Sequence, residues 1–387
     1  MVTSEEVSGP WDMESLMESP FVQWGATTHH SDYSLTPLYY EGEPYRGKTT
    51  RVFAYYATPK EYTEPLPAIV LVHGGAGRAF PEWAGQWASR GYAAIAMDLF
   101  GNGPDGERLE DGGPDQSEES LFFKVSPDSL GEMWSYHSVA AVIRAISLVA
   151  SLPEIDTTKV GLMGISWGGY VTEIVTGVDP RPAYAMTVYA AGYFQEGSCW
   201  MDIISRMDGI QQRLWEDTFD VSRYIGQSKT PMLWATGTND TCFDLDCWLK
   251  THRSAKGHKT LRLMKDWEHN YEVPWNTNEF FTYADSQVRT SRLLPGIRDI
   301  DEDSDGMVWA AYGASDVILS AELLYTADTG RSPTRVWTTS PAVVYPETCR
   351  VAGSVPNEAV MYYFAIEDEE GNIVSSDVRD RSGTNIR

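Results

Sequence analysis

One serine in this chain stands in a setting that can make it a nucleophile. The apolar run Val160–Gly164 leads into Gly164-Ile165-Ser166-Trp167-Gly168-Gly169, and a helix-compatible segment follows. A serine at a sharp strand-to-helix turn has its Oγ pushed out above the sheet, and so tight a turn demands small residues two before and two after it. Gly164 and Gly168 meet that demand. Ser166 is therefore the expected nucleophile, and the chemistry open to it is acyl transfer through a covalent intermediate.

A serine hydroxyl is a poor nucleophile at neutral pH and needs a histidine base oriented by an acid, both of which follow the serine after such an elbow. Of the seven histidines, His29, His30, His73 and His137 precede Ser166, leaving His252, His258 and His269. Order does not choose among these three. Thr260–Met264 reads as a short strand, however, and His269 lies in the loop after it, where a base must stand to reach the nucleophile. His252 and His258 fall in a basic stretch expected to be exposed. The acid belongs after the preceding strand, Pro231–Gly237, which makes Asp240 the expected partner with Asp244 and Asp246 as its nearest alternatives. A developing oxyanion also needs two preorganised N–H donors. Trp167, the residue after the nucleophile, supplies one, and the loop His73-Gly74-Gly75-Ala76-Gly77 after the strand Ala68–Val72 supplies the other, from Gly75 or Ala76. His73 itself is expected to be structural.

These residues require a scaffold of strands and helices in alternation. Ala68–Val72, Ala93–Met97, Val160–Gly164, Ala185–Tyr189, Met232–Thr236 and Leu261–Met264 read as buried parallel strands, with helices over Glu82–Arg90 and Ser138–Ser151. The expected fold class is α/β, a doubly wound and mostly parallel sheet. Residues 1–45 read as an irregular lead-in and 46–300 as the catalytic part, with the Gly-rich tract Gly101–Gln116 as a long loop shaping the pocket entrance. Beyond residue 305 the period changes to two, so 305–387 is expected to form a small all-β sandwich, with a hairpin turn at Glu369-Glu370-Gly371-Asn372. Every triad element precedes residue 270, so this unit is expected to take no part in the chemistry.

The motifs resemble the α/β-hydrolase fold, and within it the prolyl-oligopeptidase-like and acetyl xylan esterase-like bacterial hydrolases. The resemblance runs in order through the loop at His73, the segment Ala93–Gly103, the helix near Tyr136–Leu148, the elbow at Ser166, the turn Gly237-Thr238-Asn239-Asp240 and the loop carrying His269. It spans most of residues 50–290. It implies acyl-ester hydrolysis, with deacetylation of carbohydrate esters as one outcome. In one respect the chain departs from the pattern: the base sits in Trp267-Glu268-His269-Asn270-Tyr271, without the glycine or proline neighbours expected beside it. The C-terminal unit resembles the immunoglobulin-like or fibronectin-like domain appended to several bacterial esterases.

Composition narrows the partners. A net charge of −25, from 30 basic and 55 acidic residues, argues against nucleic acid and anionic membranes, whose recognition rests on clustered Lys and Arg. Neutral esters, small or carbohydrate-borne, fit such a field more easily. No apolar run of 18 or more residues appears, and Met1–Pro20 is acidic and mixed, unlike a signal peptide. The expectation is a soluble chain, cytoplasmic or exported with its signal already removed, with assembly into oligomers left open. No cofactor and no metal are expected. The four cysteines lack metal-binding spacing; Cys242 and Cys247 are near enough in sequence to pair, but four free, buried thiols are the preferred reading. The run Asp301–Gly306 alternates acids like a calcium loop, yet position twelve from Asp301 is Tyr312 where a bidentate Glu is required.

The chain has 14 Trp and 21 Tyr, most of them core. Trp134, Trp200 and Trp267 lie near the catalytic segments in sequence and are the expected substrate-binding aromatics. Three functions compete: a serine esterase acting on small acyl groups, acetyl above all, on a carbohydrate; a serine peptidase of the prolyl-oligopeptidase type; and a non-catalytic carbohydrate-binding protein on a hydrolase scaffold.

Overall fold

Leu66–Val72 shows how the sheet is built. Every residue is buried, but Leu66, Ala68, Val70 and Val72 join one apolar cluster while Ile69 and Leu71 join another. A strand buried on both faces needs helices on both sides, which is what doubly wound means physically. The computed structural model describes residues 8–275, 277–290 and 292–381. In chain order the elements that position the site are β1 (Tyr33–Tyr45), β2 (Lys48–Pro59), β3 (Leu66–Val72), α1 (Pro81–Ala88), β4 (Ala93–Met97), α2 (Trp134–Ala150), β5 (Ile155–Ile165), α3 (Trp167–Val178), β6 (Tyr184–Val188), β7 (Met232–Gly237), α4 (Leu245–Ser254), β8 (Lys259–Met264) and α5 (Glu279–Val288).

The sheet runs β1-β2-β4-β3-β5-β6-β7-β8, antiparallel through β1, β2 and β4 and parallel from β4 to β8. Buried faces of α2 and α3 cover one side of it, through residues such as Val139, Ile143, Val171 and Ile174. On the other side α1 and α5 bring Trp83, Trp87, Phe280 and Tyr283. This is the α/β-hydrolase arrangement, with the C-terminal ends of β3, β5, β7 and β8 gathered at one edge.

The lead-in is not irregular up to residue 45. Tyr33–Tyr45 is a thirteen-residue strand that pairs along β2 through the two-residue turn Arg46-Gly47, both with positive φ (52° and 71°). Such a turn matches the right-handed twist of the strands it joins and forces both central residues into the left-handed region. Arginine at the first of them gives no warning in the sequence.

From Gly296 the described residues carry strands joined by loops and short 3₁₀ turns: β9 (Gly296–Glu302), β10 (Met307–Gly313), β11 (Ile318–Thr326), β12 (Thr338–Tyr345), β13 (Arg350–Ser354), β14 (Met361–Asp368), β15 (Ile373–Ser375) and a last two-residue strand, Arg379–Asp380. Strand structure thus starts before residue 305, and a 3₁₀ turn at Ser332–Thr334 precedes β12. One layer is β9-β10-β13-β12 and the other β12-β11-β14-β15, with β12 shared between them. The second layer does not stop at the hydrolase: β15 pairs antiparallel with β8 at Leu261↔Ser375, so it continues the central sheet. Asp301–Gly306 forms the β9–β10 hairpin, where Asp303 Oδ1 accepts from the amides of Asp305 and Met307. The turn expected before Asn372 is present, with Gly371 at φ 79° and Asp368 Oδ1 accepting from the amides of Glu370 and Asn372. Among the described residues no helix is long and apolar enough to cross a membrane.

Candidate active site

Ser166 follows β5 and caps α3 with φ 58° and ψ −122°, a positive-φ backbone in which a side chain is strained. The surroundings hold it there. Its amide donates to Val188 O at 2.7 Å, and its carbonyl accepts from the Tyr170 amide at 2.9 Å. The flanking glycines are steric necessities: a Cβ on Gly164 would lie 2.1 Å from Gly168 O, and one on Gly168 would lie 2.1 Å from Val72 O.

His269 Nε2 stands 2.8 Å from Ser166 Oγ, and His269 Nδ1 stands 2.8 Å from Asp240 Oδ2. Asp240 is fully buried, and its other oxygen accepts from the amides of Cys242 and Phe243, both at 2.8 Å. A carboxylate so occupied accepts only from Nδ1–H, which leaves Nε2 as the unprotonated acceptor facing the serine hydroxyl. Burial disfavours the charged ring, but the hydrogen bond and negative charge of Asp240 outweigh it, and the His269 pKa is raised above 6.5. The departure at the base loop has a structural answer. Asp266 supplies a left-handed φ of 53°, Tyr189 Oη donates to Glu268 O at 2.6 Å, and the imidazole packs 4.7 Å from the Tyr189 ring and 6.3 Å from that of Phe243. Gly237 lets the acid and base loops meet, since a Cβ there would lie 2.4 Å from Trp267 O.

Asp244 and Asp246 face away, toward Arg331 (3.3 Å) and Arg335 (2.6 Å). His252 is buried on α4 beside Asp377, contrary to the exposed position expected, because the apolar face of α4 carries it inward with Trp248. His73 is also buried: its Nε2 accepts from the Leu99 amide at 2.9 Å, so Nδ1–H donates to Gly74 O at 2.8 Å, and burial lowers its pKa to about 4. It is a neutral brace for the loop beneath the elbow.

Trp167 opens α3, where first-turn amides have no intrahelical acceptor. The loop Gly74–Gly77 lies against it: a Cβ on Gly74 would sit 3.2 Å from Trp167 N, and one on Gly75 would sit 3.4 Å from the Trp167 ring. Ala76 holds a left-handed φ of 54°, and the Gly77 amide closes the turn on Gly74 O. Two residues that sequence reasoning missed shape this loop. Tyr271 Oη donates to Gly75 O at 2.9 Å, and Gln116, at the end of the long Gly-rich loop, lies 3.5 Å from the Gly75 Cβ position with its Nε2 buried and unbonded. Neither carries a sequence signal, since a tyrosine beside a base and a glutamine in a loop are both commonplace.

The three tryptophans part company. Trp200 keeps exposed surface and packs 4.6 Å from the Trp167 ring. Trp134 is fully buried, donating Nε1–H to Leu99 O, and Trp267 is buried against Tyr189. Both therefore back the site and present no face to a substrate. All four cysteines are free, but only Cys247 is buried; Cys199 and Cys349 are exposed, because they sit in a loop and a turn. Asp240, Cys242 and His269 bring three possible metal-binding atoms within 4.8 Å of one another. Two of those atoms are hydrogen-bonded to each other, so a metal would have to break that bond.

Residues 11–193 match the acetyl xylan esterase (AXE1) family. Among solved structures, the acetyl xylan esterase from Paenibacillus sp. R4 is similar at 22% identity and TM-score 0.58, over 71% of this chain and 92% of that one. Acetyl xylan esterase 1 from Thermoanaerobacterium sp. JW/SL YS485 follows at 17% and 0.55, over 70% and 93%. The acylaminoacyl peptidase of Pyrococcus horikoshii shares the fold at 15% and 0.51, over 68% of this chain and 49% of its own. Over residues 11–193 this chain is thus similar to the acetyl xylan esterase family, and the fold it shares with these solved structures is that of the α/β-hydrolases.

Proposed function

We propose that the chain removes small acyl groups, acetyl above all, from carbohydrate esters, with Ser166 as nucleophile, His269 as general base and acid, and Asp240 as the group that orients it. The observation that carries this reading is the continuous line Ser166 Oγ–His269 Nε2–Asp240 Oδ2, with 2.8 Å at each step. Nε2 takes the hydroxyl proton as Oγ attacks the ester carbonyl, and the amides of Trp167 and of Gly75 or Ala76 receive the oxyanion. As the bond from the carbonyl carbon to the sugar oxygen breaks, His269 gives its proton to that oxygen, leaving an acetyl-enzyme that water, activated by the same ring, hydrolyses. Trp200 is the aromatic surface offered to a sugar ring. We read the strands from Gly296 onward as a small all-β sandwich appended to the hydrolase, with the division near residue 300.

Acetylated xylo-oligosaccharides, p-nitrophenyl acetate and peptide anilides, assayed side by side, test the reading. Acetate release from the first two without anilide cleavage is expected. Anilide cleavage without acetate release would replace the esterase by a peptidase, and no turnover at all with unlabelled Ser166 would favour a binding protein.

A further inference from the structure

Two thiols face each other at the edge of the Ser166–His269–Asp240 line. The segments around Ser198 and Phe243 pair as a short antiparallel bridge, with the Asp244 amide donating to Gly197 O at 3.1 Å and the Cys199 amide to Cys242 O at 3.0 Å. That register sets Cys199 directly opposite Cys242. Residues directly opposite on an antiparallel pair have Cα atoms about 4.5–5.5 Å apart, inside the range of about 4.4–6.8 Å that a disulfide spans. Each thiol shifts the other's pKa, Cys242 downward and Cys199 upward, as neighbours at this distance do. Cys199 is exposed, Cys242 is half-buried, and a cavity of about 280 Å³ opens beside Cys199, walled by Ser198, Asp202, Thr241 and Arg331. Cys247 is buried and turned toward Tyr193 O, and Cys349 lies in the turn before β13, so neither shares this position.

We propose that Cys199 and Cys242 are a redox-active pair that closes to a disulfide on reaction with a small-molecule disulfide such as oxidised glutathione, admitted through the cavity beside Cys199. Cys242 attacks first. The adjacent Cys199 thiol and the neighbouring His269, working against burial, lower its pKa to about 7. Its thiolate displaces one half of the added disulfide as a thiolate and retains the other half as a mixed disulfide. Cys199 then loses its proton to solvent, attacks the sulfur of Cys242 and releases the second half. The protein gives up two electrons and two protons, and the added disulfide becomes two thiols. The resulting bridge ties the loop that carries Trp200 to the loop in which the Cys242 amide holds Asp240.

The full-length protein, reduced, freed of reductant and incubated with oxidised glutathione, provides the test. Its intact mass is expected to fall by two hydrogens, two of its four thiols to remain titratable after denaturation, and a non-reducing peptide map to join Cys199 to Cys242. Cys199→Ser, lacking the resolving thiol, is expected to stop with one glutathionyl group on Cys242. Four remaining thiols, a bridge that includes Cys247 or Cys349, or a Cys199→Ser protein that accepts no glutathione would overturn the proposal. None of these readouts uses ester turnover, so the proposal stands or falls apart from the esterase reading.

Discussion

At the scale of single residues, the reactivity proposed for Ser166 rests on His269 Nε2, 2.8 Å from its hydroxyl, and the tautomer of that ring on Asp240. Ser166→Ala is expected to lower kcat by roughly 10⁴-fold or more with the fold intact, and His269→Ala to match it, because members of a triad act as one unit. Asp240→Asn is expected to be milder than either. Mass spectrometry after organophosphate treatment checks the nucleophile: labelling anywhere but Ser166 would contradict the assignment. The pH profile follows from the same contacts. His269 must be neutral to accept the proton, and its pKa is raised, so kcat/KM is expected to fall with acid through a midpoint above 6.5. Asp240→Asn removes the charge that raises it and is expected to move that midpoint down. A wild-type midpoint below 6.5 would mean that burial, not Asp240, governs the ring.

The elbow is a property of an element, not of one side chain. Gly168→Ala drives a methyl into Val72 O at the junction of β3 and α3. Overpacking of this kind costs about 1–3 kcal/mol, and here it also shifts Trp167 N away from the oxyanion position. Reduced stability in urea together with weakened organophosphate labelling is the expected pair of outcomes. Wild-type labelling would show that the elbow tolerates the displacement. Tyr271→Phe tests the facing loop. It keeps the ring that packs on Phe80 and Trp83 but loses the bond to Gly75 O. Removing an oxyanion donor outright costs about 10²–10³-fold in kcat, so loss of a brace one bond away should cost less than that and little stability. An unchanged kcat would mean the loop holds itself.

For the whole molecule, the C-terminal strands contribute no side chain to the Ser166–His269–Asp240 line, yet they grip the loop that carries the acid. Asn239 Nδ2 donates to the carbonyls of Pro333 and Arg335, the Leu245 amide donates to Ser332 Oγ, and Arg335 clasps Asp246 with both guanidinium nitrogens. Ser332→Ala strands a buried amide, an expected loss of about 1–3 kcal/mol measurable by denaturant unfolding. A chain ended near Asp299 keeps every triad residue but loses these contacts and the β15 neighbour of β8. It is expected to lose organophosphate labelling even where it remains soluble. Full labelling of a folded truncate would instead confine the C-terminal strands to a separate role.

Much of this was legible in the chain because it is local. The elbow needs glycines two residues either side of Ser166, a parallel strand buried on both faces needs an unbroken apolar run, and the order Ser166, Asp240, His269 follows from where strands end. Those demands act within a few residues, so the residue types record them. What only the tertiary structure decided depends on segments distant in sequence. His269 is steadied by Tyr189 and Phe243, the Gly75 loop by Tyr271 and Gln116, the acid loop by residues 332–335, and Cys199 meets Cys242 across a bridge between two loops. Strand Tyr33–Tyr45 was hidden for a related reason, since its turn is Arg46-Gly47 and its stability comes from the partner β2. A contact between remote segments depends on the meeting of two surfaces, and neither surface alone carries its signature.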